Sequence, residues 1–262
     1  MLLSVVIPAR NEEGNVGTTI DSLLERLRRE RITYEIIVVD DGSSDGTAAE
    51  VEARARVDPG VRLVRNEGPN GFGWAIRRGL EGFAGDAVVI MMADGSDDPE
   101  DVVVYYRILR DEAECALGSR FIPGSRVTDY PRFKLWINRL ANLVVRVLFR
   151  IPYNDTTNAF KGYRREVILG CAPLISPHFN LTVEIPLKAI VRGYSYKVVP
   201  IGWRNRKVGV SSLKLDEQGS RYLYIVLNVW LESLLTRGDY RRAAGSRFEP
   251  WGTSDHRNRE SA

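Results

Sequence analysis

Histidine and cysteine are both scarce. Only two of the 262 residues are histidine, His178 and His256, so a histidine base has almost nothing to be built from. The two cysteines, Cys115 and Cys171, stand in apolar surroundings without CxxC spacing. That argues against a zinc site or a disulfide framework and makes a reducing compartment the default. Long apolar runs are missing too. The richest, YLYIVLNVWLESLL at 222–235, is short for a bilayer span and is interrupted by Asn228, Glu232 and Ser233, though it suits a helix lying on a membrane surface. The opening MLLSVVIPARNEE has neither a basic leader nor a long apolar core, so it reads as a first strand. Charge of one sign is also absent overall: 37 Lys+Arg against 34 Asp+Glu leave +3, and no nucleic-acid partner is expected.

The distribution of charge says more than its sum. Between Phe121 and Arg150, the basic residues Arg126, Arg132, Lys134, Arg139, Arg146 and Arg150 face a single acid, Asp129. The stretch 185–215 carries Arg192, Lys197, Arg204, Arg206, Lys207 and Lys214 and no acid. Both stretches suit an anionic partner.

Short β-rich runs at 3–8, 34–40, 61–65, 87–92 and 115–121 alternate with amphipathic segments through the fourth. This predicts an α/β fold, a mostly parallel Rossmann-like sheet with helices on both faces. Ligands of such a sheet belong at the carboxyl ends of the strands. There the sequence places Pro8, Arg10, Asn11 and Glu12, then Asp40 and Asp41, then an acidic run. A long helix is expected near 131–150, and a disordered tail from 237 to 262.

The run VVIMMADGSDDPED (88–101) sets five carboxylates against an apolar strand. A helix start explains four residues, with Asp98 as N-cap, Pro99 at the first helical position, and Glu100 and Asp101 in the first turn. Asp94 and Asp97 remain. An acid at a strand end, followed by Gly95, suits Mg²⁺ or Mn²⁺ held through one or two carboxylates and substrate phosphates. The Gly71-x-Gly73 pair also begins like a dinucleotide-binding loop, but NEGPN separates it from the preceding strand and the Asp40-Asp41-Gly42-Ser43 turn has no role in that scheme.

The stretches VVIPARNEEGNV, IIVVDDGSSDGT, NGFGWAIRRGL, VVIMMADGSDDPED and GSRF resemble, in order and spacing, family 2 glycosyltransferases of the GT-A fold. Within these the chain is similar to the dolichyl/polyprenyl-phosphate mannosyltransferase group, over roughly residues 3–215. The resemblance implies a GT-A domain over 1–236, with a nucleotide-sugar half (1–121) and an acceptor half (122–236). It implies that Pro8, Arg10, Asn11, Glu12, Asp40, Asp41 and Gly71 bind the donor. The Asp-x-Asp metal motif of the group falls on Met92-Ala93-Asp94, so its first aspartate is Met92 here. The second survives as Asp94, and Ser96 follows as the next polar position; both are assigned to the divalent cation and the donor.

The acceptor-phosphate residues of the group fall on Arg120, Lys134 and Asn138. The last two are four apart and share a helix face. Arg206, in VVPIGWRNRKVGVSSL, is assigned to the charge on the leaving diphosphate. Asp155 and Thr157, in DTTNAFKGY, are positioning candidates or turn residues, and Glu184 is a candidate sugar contact. On the helix near 131–150, Trp136, Leu140, Leu143 and Val147 form one stripe and Arg132, Arg139 and Arg146 another. Either the apolar stripe packs on a core or it shelters a prenyl chain while the basic stripe meets anionic headgroups.

The function implied is inverting transfer of a hexose, mannose or glucose, from a GDP- or UDP-sugar to a polyprenyl phosphate at the cytosolic face of a membrane. A phosphate acceptor is already anionic and needs no base, which suits a chain poor in histidine. Two other readings stay open: transfer to a soluble sugar hydroxyl, and nucleotide-sugar binding without turnover.

Overall fold

The structure is a computed structural model; it describes residues 1–204 and 215–242, with the side chains of 132–134 and 215–218 excepted. The chain begins with strand β1 (Leu3–Ala9), helix α1 (Val16–Arg29), β2 (Tyr34–Asp40), α2 (Thr47–Ala55), β3 (Val61–Arg65), α3 (Phe72–Glu81) and β4 (Ala87–Ile90). It continues through α4 (Pro99–Asp111), β5 (Cys115–Ser119), β6 (Arg126–Thr128), α5 (Arg132–Phe149), β7 (Lys161–Arg164), α6 (Arg165–Gly170), α7 (Leu181–Val191), β8 (Tyr196–Pro200), β9 (Gly202–Arg204) and α8 (Leu215–Leu235).

Seven strands form one sheet in the order β3-β2-β1-β4-β7-β5-β8, and β6 and β9 form a two-stranded ribbon. All neighbours in the large sheet run parallel except at β7, which is antiparallel to both β4 and β5. The predicted α/β sheet is therefore present. The predicted halves share it, because β7 and β8 come from beyond residue 121.

The central strands are apolar at nearly every position because both faces are covered. Val5 and Ile7 pack with Ile20, Leu23 and Val102 under α1 and α4, while Val6, Ile37 and Val88 pack with Ile76, Leu181 and Val229 under α3, α7 and α8. Strand β4 ends at Ile90, two residues before the predicted end. The backbone N–H of Met92 bonds the Asp97 carboxylate at 2.9 Å, turning the chain out of the sheet.

Residues 237–242, assigned by the sequence to a disordered tail, make defined contacts. The Arg242 backbone N–H donates to the Arg192 carbonyl at 2.9 Å, and its guanidinium pairs with buried Glu114. Residues 243–262 lie outside the described residues.

Candidate active site

Three strand ends meet on one edge of the sheet. At the end of β1, Pro8 and Ala9 are buried, and just beyond it Arg10 and Asn11 are exposed. Asn11 takes a left-handed conformation (φ 53°), its N–H donates to Ser43 Oγ at 3.0 Å, and its Oδ1 accepts the Ser44 N–H at 2.9 Å. The Glu12 N–H bonds Thr47 Oγ1 at 2.8 Å. The loops after β1 and β2 are thus tied together before any ligand arrives.

Asp40 accepts the Ser43 N–H at 2.9 Å. Asp41 accepts Asn66 Nδ2 at 2.7 Å and the Gly71 N–H at 2.8 Å, drawing the start of α3 to the end of β2. Gly71 is required by close approach, since a Cβ there would stand 2.6 Å from the Pro177 carbonyl. It caps α3 without following a strand directly, which removes the dinucleotide-loop reading.

The acidic run divides by task. Asp98 caps α4 through the Glu100 N–H at 3.0 Å, with Pro99 at the first helical position, as its sequence implied. Glu100 pairs with Arg26 at 2.6 Å. Asp101 accepts the Gly202 N–H at 2.6 Å and so fastens β9 onto α4. Asp97 is buried and holds the Met92 N–H, and its backbone bridges to Trp203.

Burial pushes the Asp97 carboxyl up to about 7, against the Met92 N–H and with the Asp94 charge. Burial likewise takes Asp101 to about 6, against the Gly202 N–H and with the charge of Asp98. Asp94 is the half-buried carboxylate left at the strand end; its Oδ1 accepts the Ser96 N–H at 3.1 Å, and Gly95 turns at φ 68°.

Met92 offers a thioether, a poor ligand for a hard cation. Among the described residues no three His, Cys, Asp or Glu side chains gather into a metal cage. One strand-end carboxylate beside an open glycine turn fits a cation that brings the remaining oxygens with a diphosphate.

Across the edge, Arg120 follows β5. Its Nε and Nη2 bond Asp155 at 2.8 and 2.7 Å, and its N–H bonds the same carboxylate at 2.9 Å. Asp155 is fully buried. Burial works against the charge on Arg120, but the charge and hydrogen bonds of Asp155 outweigh it and push the guanidinium pKa further up. Phe121, Tyr130 and Trp203 surround the guanidinium, with ring centroids 5.4, 5.4 and 5.9 Å from its carbon.

Asn138, on α5, donates to the Tyr130 hydroxyl at 2.9 Å and accepts from Thr157 Oγ1 at 2.8 Å. Asn142, one turn on, accepts the Thr156 N–H at 2.6 Å. Arg120, Asn138, Asp155 and Thr157 are therefore brought together. Lys134 lies one turn before Asn138 on α5, its side chain outside the described residues. Arg206 also lies outside them, as do Lys207 and Lys214 of the basic stretch.

Glu184 is fully buried; it accepts the N–H groups of Ile175 and Ser176 at 2.9 and 2.8 Å and pairs with Lys188 at 2.7 Å. Its carboxylate is occupied inside the protein, which corrects the expected sugar contact. The apolar stripe of α5 is exposed: Trp136 by 76%, Leu140 by 64% and Val147 by 70%. It is not a core face. Beside it a shallow cavity of about 230 Å³ is lined by Trp136, Arg139, Leu143, Arg146 and Asn154.

Lys161 went unrecognised in the sequence. It is 1% exposed in the middle of the sheet, where burial pushes its ammonium down to about 7, opposed by Asp155 and reinforced by Arg120. A lone cation between Phe160 and Gly162-Tyr163 was the available signal.

The model of the family Glycosyl transferase family 2 matches residues 4–170, spanning all three strand ends and the Arg120–Asp155 pair. The chain belongs to glycosyl transferase family 2. This family 2 glycosyltransferase is 31% identical over 220 residues to a polyprenol monophosphomannose synthase of Mycolicibacterium smegmatis, covering 80% of each chain. It is 32% identical to a dolichol-phosphate mannosyltransferase of Pyrococcus furiosus, over 82% of this chain and 60% of that protein's length. An undecaprenyl-phosphate mannosyltransferase of Micrococcus luteus is 29% identical over 93% of this chain and 98% of its own.

Among solved structures, glucosyl-3-phosphoglycerate synthase of Mycobacterium tuberculosis with phosphoglyceric acid superposes with a TM-score of 0.68 at 22% identity, over 88% of this chain and 79% of that one. The same enzyme with Mn²⁺, UDP and phosphoglyceric acid gives a TM-score of 0.63 at 22% identity, over 94% and 81%. The shared fold is GT-A.

Proposed function

We propose that this glycosyltransferase moves a hexose, mannose or glucose, from a GDP- or UDP-sugar to a polyprenyl phosphate. The observation carrying this reading is the acceptor side of the cleft, where a fixed cation stands and the described carboxylates with raised pKa are already held by backbone N–H groups. Arg120 is locked by Asp155, while the two carboxylates with raised pKa, Asp97 and Asp101, are engaged by the N–H groups of Met92 and Gly202. A hydroxyl acceptor needs its proton removed; a phosphate does not. The three polyprenyl-phosphate and dolichol-phosphate relatives support the lipid acceptor.

In this mechanism Pro8, Arg10, Asn11, Glu12, Asp40, Asp41 and Gly71 line the nucleotide pocket. Arg120, Lys134 and Asn138 hold the acceptor phosphate behind the anomeric carbon. A phosphate oxygen forms a bond to C1 as the bond from C1 to the diphosphate oxygen breaks, and the electron pair leaves with the nucleoside diphosphate. Displacement from the opposite face inverts C1. Arg206 offsets the charge that develops on the leaving group. Asp94, with Ser96 beside it, would hold a divalent cation, Mg²⁺ or Mn²⁺, which supplies charge neutralisation for the diphosphate.

No helix among the described residues is long and apolar enough to cross a membrane. We assign α5, with α8, to peripheral contact at the cytosolic face, where Arg139 and Arg146 meet anionic headgroups and the exposed apolar stripe meets lipid chains.

The test is incubation with radiolabelled GDP- and UDP-hexoses, Mg²⁺ or Mn²⁺, and a short prenyl phosphate. Label in the organic extract is the expected result. Label only on added soluble sugars would transfer the reading to a hydroxyl acceptor, and donor binding without any transfer would leave a nucleotide-sugar binder.

A further inference from the structure

Helix α7 contains Pro186. Proline has no N–H, so the carbonyl four residues earlier, at Thr182, loses its helical donor. Lys161 Nζ supplies one, at 3.1 Å. The same ammonium donates to the carbonyls of Thr156, at 3.0 Å, and of Asn158. In the ammonium form its three protons meet three buried carbonyls, two from the loop 155–158 and one from the first turn of α7. Strand β7 delivers it there, where Lys161 pairs in register with Ile90 of β4 and Leu117 of β5.

The loop it anchors carries three groups that orient the acceptor side. Asp155 grips Arg120 through three hydrogen bonds. Thr157 Oγ1 bonds Asn138, and Thr156 bonds Asn142 through both its N–H and its hydroxyl. Removing the ammonium leaves the Thr156 and Asn158 carbonyls buried without a donor, so the loop would move to reach water or another partner. Arg120 and Asn138 would then shift with it.

We propose that Lys161 is a positioning residue for the acceptor site, fixing the Asp155–Asn158 loop and through it the Arg120 guanidinium and the Asn138 side chain, while also replacing the helical donor that Pro186 removes from Thr182. This rests on the acceptor reading above. It adds a residue that touches no substrate and a division of labour within its three hydrogen bonds.

That division sets the test. Pro186→Ala restores a backbone N–H for the Thr182 carbonyl but gives nothing to Thr156 or Asn158. Four full-length chains are compared with wild type: Lys161→Met, Lys161→Arg, Pro186→Ala, and the Lys161→Met/Pro186→Ala double variant. Each is assayed for the KM of a short prenyl phosphate, calorimetric affinity for nucleoside diphosphate, and melting temperature. Lys161→Met should raise the acceptor KM roughly tenfold or more while nucleotide affinity stays within about twofold. Pro186→Ala added to it should recover part of the lost melting temperature and leave the acceptor KM high. Lys161→Arg keeps the charge but puts a larger planar fork where three carbonyls converge on one ammonium, so it should recover the acceptor KM only in part.

If Lys161→Met does not fold, the double variant carries the comparison. An acceptor KM unchanged in a chain without Lys161, a parallel loss of nucleotide affinity, or recovery of acceptor KM together with stability by Pro186→Ala would each overturn the proposal and leave Lys161 a filler of buried space. Absence of transfer by the wild-type chain to any prenyl phosphate would overturn the acceptor reading as well, and is recognisable from the control alone.

Discussion

Arg120 and Asp155 form a forked ion pair at the end of β5, 2.7 and 2.8 Å across its two bonds, with the carboxylate fully buried and the guanidinium enclosed by three aromatic rings. An arginine held this way presents charge at a set place without having to be ordered by its substrate. In the proposed reaction, rigid placement of that kind would lower the entropic cost of orienting a phosphate nucleophile.

Breaking the pair from the carboxylate side leaves a buried arginine unpaired. Asp155→Asn is expected to cost about 3–5 kcal/mol of stability. Thermal and urea unfolding measure this. A loss below about 1 kcal/mol would mean that the pair is solvated in solution.

Asp97 gives stability an unusual pH dependence. Its folded pKa lies near 7, above the ordinary aspartate value of 3.8, so the folded state holds its proton more tightly than the unfolded chain. Its contribution is full below about pH 4 and declines as pH rises to 7. Asp97→Asn keeps an acceptor for the Met92 N–H without a charge, so it should flatten that decline and raise stability above pH 7 by on the order of a few kcal/mol. Lys161, pushed down to about 7 from 10.5, acts in the opposite sense, adding stability as pH climbs above 7. Urea midpoints of wild type and Asp97→Asn from pH 4 to 9 test both slopes.

Met92 in the place of a second carboxylate predicts that metal and nucleotide bind together. Calorimetry with Mn²⁺ alone should show weak binding, strengthened by GDP or UDP. Met92→Asp should tighten Mn²⁺ binding without nucleotide by about tenfold or more, and Asp94→Asn should abolish the nucleotide-dependent part. Equal Mn²⁺ affinity in wild type and Met92→Asp would show that position 92 does not face the cation.

The exposed face of α5 predicts a reversible, salt-sensitive association with anionic vesicles. Trp136→Glu with Leu140→Glu should reduce co-sedimentation strongly. Arg139→Gln with Arg146→Gln should weaken it by about 1 kcal/mol per residue. Because Trp136 and Leu140 are 76% and 64% exposed, these changes should alter folding stability by no more than about 0.5 kcal/mol. Binding to neutral and anionic vesicles alike would remove the arginines from the account.

Much of the molecule was legible in the chain itself. Local patterns sufficed for the strands at 3–9, 34–40 and 61–65, for α5, and for the cap of α4 by Asp98 and Pro99, because each depends on neighbours within one turn or on unbroken apolar runs. The strand ends follow from topology, so the alternation of strands and helices alone puts Asn11, Asp40, Asp41 and Asp94 on one edge.

What only the tertiary structure decided were partners far apart in sequence. Asp101 meets Gly202, Arg120 meets Asp155, and Lys161 meets the carbonyl that Pro186 orphaned 21 residues away along the chain. The α5 stripe looked the same in sequence whether it packed on a core or faced outward, since periodicity records that a helix has an apolar face but not what covers it. Burial and hydrogen-bond satisfaction belong to the packed whole, where each polar group's partner is fixed only once distant segments have come into contact.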